Sequence, residues 1–350
     1  MKWMLLLVPV AIVLHHLMPD RPLLVFAFTA GGIVPLAALM ARATSSLATR
    51  LGPGIGGLLN ATFGNAAEFI IALAALRGGL HELVKASIAG TIIGNILFVM
   101  GVSMVLGGAR HGIQHYNAGT ARTQGTMLML AVVTLILPAA YRNVVPTASG
   151  SLQSISLVLS VLLLLVYAAN VAYTLFTPQA VEAEDHGDSH GEPLSNGMAA
   201  LFLGLSSLGI IWLSEILVGV VEPASQSLGL NDAFTGVFVL AVIGGAAEQA
   251  TAIVAARQNR MELSISIAVG SSVQLALLVA PALVLLSYFI GPQPMSLEFG
   301  PGLVLTVLVA VIIAGQVVSD GRADWLRGVQ LLGLYLILAT LFWYVPDLPT

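Results

Sequence analysis

The sequence has no cysteine and very little charge. Its 350 residues include only 13 Lys and Arg and 17 Asp and Glu, so charged types make up 9% of the chain. The absence of cysteine excludes disulfides, thiolate nucleophiles and cysteine-ligated zinc or iron–sulfur centres. No basic cluster is present, which excludes a nucleic-acid-binding groove. So few charges also could not cover the surface of a soluble protein of this length.

Apolar residues dominate instead. Hydrophobic types make up 57% of the chain, and its mean hydropathy is +0.95. They form runs long enough to cross a hydrocarbon core of about 30 Å. The sequence therefore predicts an all-α, polytopic integral membrane protein. Eleven transmembrane helices are predicted, at about 3–18, 22–41, 53–76, 83–107, 124–141, 153–176, 197–221, 233–256, 262–290, 301–318 and 325–345. No small-residue cleavage site follows the first helix, so we expect it to be retained.

The basic residues predict the orientation. Nine fall on the side of the N-terminus in this layout and four on the other side. Because Lys and Arg concentrate in cytoplasmic loops, we expect a cytoplasmic N-terminus and a C-terminus on the opposite side. We expect the host membrane to be a prokaryotic inner or cell membrane.

The chain contains an internal repeat. At an offset of 180 residues, GNAAEFIIALAALRGGLHELVKASIAG (64–90) aligns without a gap on GGAAEQATAIVAARQNRMELSISIAVG (244–270), with ten of 27 positions identical. Five crossings separate equivalent points, and five is odd, so the second copy enters from the opposite face. Such inverted repeats are typical of alternating-access transporters. The predicted organisation is an extra N-terminal helix (1–20), a first repeat (21–176, helices 2 to 6), a cytosolic acidic linker (177–196) and a second, inverted repeat (197–350, helices 7 to 11).

Two glutamates, Glu68 and Glu248, occupy equivalent positions deep in predicted helices 3 and 8. Ionisable side chains at such depth are costly, so they face a bundle interior or water and act on ions or protons. Gly64 and Gly244 precede them by one turn, where glycine lets a neighbouring backbone approach or the helix loosen and free its carbonyl oxygens. A purely structural role between helices is the alternative, but the symmetric placement favours an ion and proton site.

The helices that follow carry neutral oxygen ligands. These polar residues are Ser87, Thr91 and Asn95 in predicted helix 4 and Ser271, Ser272 and Gln274 in predicted helix 9. Together with two carboxylates they form an all-oxygen set, which suits a hard divalent cation. Calcium is favoured because it accepts many ligands in a flexible geometry.

The same carboxylates suit protons. When the cation leaves, two like charges remain in a pocket of low dielectric constant, so protons bind in its place. Competition between Ca²⁺ and H⁺ for one pair of carboxylates is a complete antiport mechanism.

Four segments resemble a known family. They are GPGIGGLLNATFGNAAE (52–68), GTIIGNILFVMG (90–101), LSEILVGVVEP (213–223) and GSSVQLALLVAP (270–281). They are similar to the calcium/proton antiporters of the cation/calcium exchanger superfamily, and the resemblance spans helices 2 to 11. It implies the sodium/calcium-exchanger-like fold, with helices 3, 4, 8 and 9 around the ion and helices 2 and 7 as tilting gates. It also implies that Glu68 and Glu248 are the metal and proton carboxylates.

With the motif residues included, the predicted ion- and proton-binding set is Glu68, Glu248, Asn65, Gly64, Gly244, Thr91, Asn95, Ser271, Ser272 and Gln274. The chain departs from the family pattern at three places. Gly245 and Gln249 replace the Asn and His of GNAAEH in the second repeat, Ala43-Thr44-Ser45 replaces Ala-Thr-Glu, and Val273 replaces a Thr beside Gln274. The changes leave both carboxylates intact and bear on cation preference.

Further acidic residues have two interpretations each. Glu215 in helix 7 is deep enough for a gating or entry-path carboxylate, and a structural role is equally compatible with its position. The acidic interval between helices 6 and 7 is either a solvated linker or a collector of cytosolic cations, and the family resemblance implies calcium sensing. Its candidate residues are Glu182, Glu184, Asp185 and Asp188.

The function predicted from these features is secondary active exchange of Ca²⁺ for H⁺ by alternating access. A Na⁺-coupled exchanger, or one with a broader preference that includes Mn²⁺ or Cd²⁺, is the alternative. No HExxH motif or buried Ser/His arrangement supports an intramembrane enzyme. We therefore expect a transporter that is not an enzyme and needs no cofactor. Its expected partners are Ca²⁺, H⁺ and the lipid bilayer.

Overall fold

Long apolar helices make up most of the computed structural model, which describes residues 2–145, 149–176 and 194–344. A short 3-10 turn, Lys2–Leu6, leads into the first helix. The helices are α1 (Leu7–Leu17), α2 (Pro22–Phe63), α3 (Ala66–Arg77), α4 (His81–His111), α5 (Ala118–Val144), α6 (Ser149–Phe176), α7 (Asn196–Ser227), α8 (Asp232–Arg257), α9 (Met261–Leu286), α10 (Pro301–Val318) and α11 (Trp325–Trp343). A two-residue antiparallel ribbon pairs β1 (Gln114–His115) with β2 (Arg322–Ala323).

The described part of the chain is a polytopic helical membrane protein. Nine of its helices are long and apolar enough to cross a bilayer. The apolar helix at the N-terminus (Trp3–Leu17) and α3 are shorter than the other spans. The count of eleven crossings therefore stays a prediction.

The boundary between the second and third helices differs from the sequence-based expectation. The sequence predicted helices at 22–41 and 53–76, but α2 continues to Phe63 and the break falls at Gly64 and Asn65. Asn65 has φ −101° and ψ 27°, outside the helical region. Gly64 lacks a Cβ and an Asn side chain competes for backbone hydrogen bonds, so this pair favours an interruption. The polar residues near position 45 do not end α2, and Thr44 and Ser46 are buried within it.

The two repeats share the same helix boundaries at an offset of 180 residues. Helix α3 ends at Arg77 and α8 ends at Arg257, while α4 begins at His81 and α9 begins at Met261. Both α4 and α9 also widen into a π-helical turn at matching places, Gly94–Val99 and Leu275–Val279. Such turns are frequent at functional sites. The turn in α4 includes Asn95, and the turn in α9 begins directly after Gln274.

One π-helical turn lacks a counterpart. Helix α8 contains the turn Thr235–Leu240 ahead of its glycine pair, Gly244 and Gly245, and the helix is unbroken at that pair. In the first repeat the backbone is instead interrupted at Gly64 and Asn65. The sequence suggested that glycine would either loosen a helix or admit a neighbour, and only the first repeat loosens at its glycine. The equivalent segments therefore have different conformations.

Two apolar clusters hold the helices together. One joins α1, α2 and α7 around fully buried Ile33, Leu213 and Leu217. The larger one surrounds α4 and α9, whose fully buried side chains include Ile92 and Leu277. Close packing of this kind, rather than water exclusion, drives association between helices in lipid. The equivalent helices α2 and α7 pack directly on each other, and α8 contacts α2, α3, α4 and α9.

The loops predicted to be cytoplasmic meet at one face. His111 Nε2 lies 2.9 Å from the carbonyl oxygen of Arg257, and Gln114 donates a hydrogen bond of 3.0 Å to the carbonyl of Ala256. The β1–β2 ribbon adds the connection before α11 to this group.

One ion pair joins loops that are predicted to lie on the opposite side. Arg142 and Glu298, 2.6 Å apart, connect α5 to the segment before α10.

Candidate ion-binding site

The two predicted glutamates come from different repeats. Glu68 lies in the first turn of α3, directly after the break, and is 9% exposed. Glu248 lies within α8 and is partly buried. The first turn of a helix favours negative charge because its backbone N–H groups are unpaired. The end of α2 at Phe63 likewise leaves carbonyl oxygens without helical partners, which makes them available to a cation.

Each glutamate lies beside the glycine of the other repeat. A Cβ atom placed on Gly244 would be 3.0 Å from Cγ and 3.7 Å from Cα of Glu68. A Cβ atom placed on Gly64 would be 3.7 Å from Oε1 of Glu248. The missing side chain of Gly244 therefore lets α3 and α8 approach closely. The two contacts bring both carboxyl groups into one site.

Three predicted polar residues complete the centre of this site. Ser271 donates a hydrogen bond to Oε2 of Glu248. Asn65 donates from Nδ2 to Oε1 of Gln274 over 2.5 Å, so the break in the first repeat is tied to α9 in the second. The oxygen of the same amide, Oδ1, is buried and has no hydrogen-bond partner among the described residues. An unpaired buried oxygen is costly, and a bound cation would satisfy it.

Three other predicted residues, Thr91, Asn95 and Ser272, are also buried. The hydroxyls of Thr91 and Ser272 donate hydrogen bonds within their own helices. The hydroxyl of Thr91 donates to the carbonyl of Ser87 over 3.0 Å, and the hydroxyl of Ser272 donates to the carbonyl of Ala268 over 2.8 Å. Asn95 is buried within the π-helical turn of α4. A hydroxyl that donates one hydrogen bond still has lone pairs for a metal. The contacts in the structure thus connect Ser271, rather than Ser272, to a glutamate.

Glu215 pairs with a base at the end of α3. Its Oε1 lies 2.8 Å from Nη1 of Arg77, and the two side chains are 47% and 61% exposed. The ion pair links α7 to α3, two helices that pack against each other. Arg77 therefore makes a specific contact between the two helices. The predicted cation-sensing residues Glu182, Glu184, Asp185 and Asp188 lie outside the described residues.

Sequence reasoning treated Gly245 and Gln249 only as departures from a family pattern. In the structure, Gln249 is 5% exposed, and a Cβ on Gly245 would lie 2.8 Å from its Nε2 and 3.4 Å from Oε1 of Glu68. The Gln249 amide and the Glu68 carboxylate therefore both border the space above Gly245. The signal in the sequence was the repeat alignment, which pairs these residues with Asn65 and Phe69.

The arrangement offers carboxylate, amide and hydroxyl oxygens from both repeats. Such oxygens suit a hard cation and protons.

Comparisons with known proteins point to a cation exchanger as well. The sodium/calcium exchanger protein family model matches residues 21–176 and 198–344. A Ca²⁺/H⁺ antiporter of Aphanothece halophytica is 40% identical over 99% of this chain and 96% of its own length. A Ca²⁺/H⁺ antiporter of Synechocystis sp. is 42% identical over 93% and 92%. The solved structure of native YfkE is 34% identical, covers 97% of each chain and has a TM-score of 0.84.

Proposed function

The chain belongs to the sodium/calcium exchanger family, among its calcium/proton antiporters, and from this premise we propose that it exchanges Ca²⁺ for H⁺ through Glu68 and Glu248. It is an integral, multi-pass membrane protein. We propose that its helices form two inverted five-helix repeats after an extra N-terminal helix. Ca²⁺ and H⁺ are its transported ions. The roles of the individual residues in this exchange are our proposal.

The observation that carries the proposal is the crossed packing of Glu68 on Gly244 and of Glu248 on Gly64. Both carboxylates enter one site, so a divalent cation can bind both at once. Ca²⁺ takes six to eight oxygen ligands. The proposed additional ligands are the unpaired Oδ1 of Asn65, the hydroxyl of Ser271 and the carbonyl oxygens that the end of α2 exposes.

Protons replace the cation when it leaves. Two buried like charges repel each other, and binding of H⁺ removes that repulsion. A site that holds either Ca²⁺ or protons couples the two flows, because it opens to each side of the membrane in turn and carries one or the other ion each time. We propose that Thr91, Asn95 and Gln274 contribute oxygens or hold the ligands in place. Ser272, whose hydroxyl donates to the carbonyl of Ala268 in its own helix, is proposed to contribute less.

The difference between the repeats supports alternating access. The first repeat is interrupted at Gly64 and Asn65, while the second is continuous at Gly244 and Gly245. Inverted repeats that exchange conformations open a central site to one face and then to the other. We propose that the interruption passes from one repeat to the other during transport, with α2 and α7 as the moving pair.

Several further features are proposed from the sequence. The N-terminus is cytoplasmic, the C-terminus lies on the opposite side, and the host membrane is prokaryotic. Glu215 acts as a gating residue through its ion pair with Arg77. Ion exchange requires no covalent step, so we propose neither enzymatic activity nor a cofactor.

The acidic interval is proposed to collect cytosolic Ca²⁺. Deleting residues 182–190 should preserve exchange and change its dependence on cytosolic Ca²⁺, because nearby carboxylates raise the local cation concentration. An unchanged dependence would show that the interval is only a linker.

Flux into everted membrane vesicles tests the function itself. Uptake of radioactive Ca²⁺ should follow an imposed pH gradient and disappear when a protonophore collapses that gradient. Uptake that needs a Na⁺ gradient and ignores the pH gradient would overturn the proposal and favour Na⁺ coupling. Competition by Mn²⁺ or Cd²⁺ in the same assay would define the cation preference.

A further inference from the structure

The end of α8 is held by a loop of the other repeat. Gln114, in the loop between α4 and α5, donates from Nε2 to the carbonyl of Ala256 over 3.0 Å and to Oδ1 of Asn259 over 2.9 Å. At the end of α4, His111 Nε2 lies 2.9 Å from the carbonyl oxygen of Arg257. These contacts fasten the last turn of α8, and the turn that follows it, to the first repeat.

The Gln114 amide fits closely between two helices. Gln114 is 2% exposed. Gly107, near the end of α4, leaves room for the amide, because a Cβ atom there would collide with Oε1 of Gln114. The same Cβ position is only 3.1 Å from the carbonyl oxygen of Ala256. The amide therefore bridges α4 and α8 where they approach each other.

The matching loop of the second repeat holds the end of α3. At an offset of 180 residues, the two residues that Gln114 contacts are equivalent to Leu76 and Gly79. A Cβ atom on Gly291, in the loop between α9 and α10, would lie 2.8 Å from the carbonyl oxygen of Leu76. A Cβ atom on Gly79 would lie 3.0 Å from Cγ of Pro292. The contact therefore recurs at the other end of α4, a helix of 31 residues.

The two contacts share their position but not their chemistry. Hydrogen bonds hold α8, whereas close packing of glycine and proline holds α3. In each repeat the contacted carbonyl lies eight residues beyond the glutamate, at 256 after Glu248 and at 76 after Glu68. Because unrelated side chains make the same connection, the repeats share the fastening of the helix that carries the glutamate.

This fastening determines where Glu248 lies. At one point α8 packs on the first repeat through Gly244, which meets Glu68. Gln114 binds it at a second point, Ala256, about 18 Å further along the helix. Glu248 lies between the two points, and a helix held at both can neither slide nor turn. Binding sites require ligand groups to be held within about 0.5 Å of their productive geometry.

We propose that Gln114 is a positioning residue, which sets the distance between Glu248 and Glu68 by fastening the end of α8. The inference rests on the proposed role of these two glutamates. It makes the loop between α4 and α5 a clamp that stays closed during transport. In the competing explanation the loop is a gate that must leave α8 in every cycle, and the two explanations predict opposite results.

Removing the hydrogen bonds tests the clamp. Gln114→Leu keeps the bulk of the side chain and removes both donors. The KM for Ca²⁺ uptake into everted vesicles should rise about fivefold, because ion binding must then order α8. The maximal rate per inserted protein should change by less than about twofold. The control is Gln258→Leu, the same substitution at an exposed position beside Asn259, which should change neither quantity.

Asn259 provides a second route to the same interaction. Its φ is 63°, a conformation that Asp and Gly also tolerate. Asn259→Asp retains the acceptor oxygen and should have a normal KM, whereas Asn259→Gly removes it and should raise the KM about twofold. Combining Asn259→Gly with Gln114→Leu should be no worse than Gln114→Leu alone, because both remove one hydrogen bond.

A disulfide distinguishes a clamp from a gate. His115 and Arg322 are exposed Cα partners in the β1–β2 ribbon, and the chain has no cysteine of its own. Paired Cα atoms of an antiparallel ribbon are close enough for a disulfide. His115→Cys with Arg322→Cys therefore ties the loop down on oxidation. The oxidised and reduced forms should exchange Ca²⁺ at the same rate.

Two results would overturn the inference. One is a KM in Gln114→Leu that equals the KM of the control, with only the amount of inserted protein reduced, as a purely structural role predicts. The other is exchange that stops on oxidation of the cysteine pair and returns on reduction, as a gate predicts. Should Gln114→Leu fail to insert, the comparison of Asn259→Gly with Asn259→Asp still decides the question. Absence of pH-driven uptake in the unaltered protein would instead contradict the proposed function, so the two failures are distinguishable.

Discussion

Gly244 of the second repeat lies against Glu68 of the first, so closely that a Cβ atom on the glycine would be 3.0 Å from Cγ of the glutamate. The reciprocal contact brings Gly64 next to Glu248, with 3.7 Å between the equivalent Cβ position and Oε1. Each glycine thus serves the carboxylate of the other repeat. This relationship connects the internal symmetry of the sequence to a single site.

A methyl group at Gly244 should disturb this contact. In Gly244→Ala the new Cβ meets Cγ of Glu68, so α3 and α8 must separate or the carboxylate must shift. Because small displacements of binding groups are costly, we expect Ca²⁺ exchange to fall by about tenfold or more. The control is Gly204→Ala, since a Cβ on Gly204 in α7 meets nothing within 4 Å. Equal activity of the two variants would show that the contact is unimportant.

The sequence predicted much of this site because its symmetry and its polar residues are local signals. The repeat alignment pairs Glu68 with Glu248, and the cost of burying a carboxylate in lipid predicts a function for both. Helix ends such as Arg77 and Arg257, each followed by a short turn, were also visible. Such features follow from residue type and spacing.

Other features depend on packing and could not be predicted. The break at Gly64 and Asn65 rather than near position 45 depends on which polar side chains find buried places, as Thr44 and Ser46 do. The partner of Glu215 is another example, because Arg77 lies 138 residues away in sequence. A single sequence carries no signal for a contact of that range. The position of the Gln249 amide above Gly245 likewise depends on packing.

Neighbouring serines in α9 should behave differently. Ser271→Ala removes the hydrogen bond to Glu248, and we expect the KM for Ca²⁺ to rise about tenfold. Ser272→Ala removes a hydroxyl that donates to the carbonyl of Ala268 in its own helix, so its effect should stay within about twofold. Parallel measurements of KM in vesicles check the pair. A larger effect of Ser272→Ala would move the proposed ligand one residue along the helix.

The ion pair between Arg77 and Glu215 should modulate transport without being essential. Both side chains are about half exposed, and exposed pairs contribute about 1 kcal/mol or less. We therefore expect Glu215→Gln and Arg77→Gln each to lower the exchange rate by about fivefold or less. The reversed pair, Arg77→Glu with Glu215→Arg, should restore it.

Glu222→Gln is the matched control for this ion pair, because Glu222 is exposed on the same helix, α7. Complete loss of exchange in Glu215→Gln would instead give Glu215 a place in the ion pathway.

Stability should depend on pH through Asp320, in the connection between α10 and α11. Arg327 donates hydrogen bonds to both of its carboxylate oxygens, which lowers the pKa of Asp320 to about 2. An unfolded Asp titrates near pH 3.9. The pair therefore stabilises the folded protein fully above about pH 4, and this contribution disappears as the pH falls towards about 2.

Thermal unfolding of the detergent-solubilised protein checks this dependence. Asp320→Asn should have a lower Tm than the unaltered chain at neutral pH, and the difference should shrink in acid. The control is Glu262→Gln, at an exposed position in the first turn of α9. A Tm difference that is constant from neutral to acidic pH would mean that the charge of Asp320 contributes nothing.

The central claim is that Glu68 and Glu248 alternate between Ca²⁺ and protons. Glu68→Gln and Glu248→Gln keep the size of each side chain but cannot ionise, so the site can neither neutralise Ca²⁺ nor release a proton. The most direct test is uptake of radioactive Ca²⁺ into everted vesicles under an imposed pH gradient, with insertion of each variant verified in the same membranes. We predict that both variants insert normally and that each abolishes uptake. Uptake at the normal rate by either inserted variant would contradict the account.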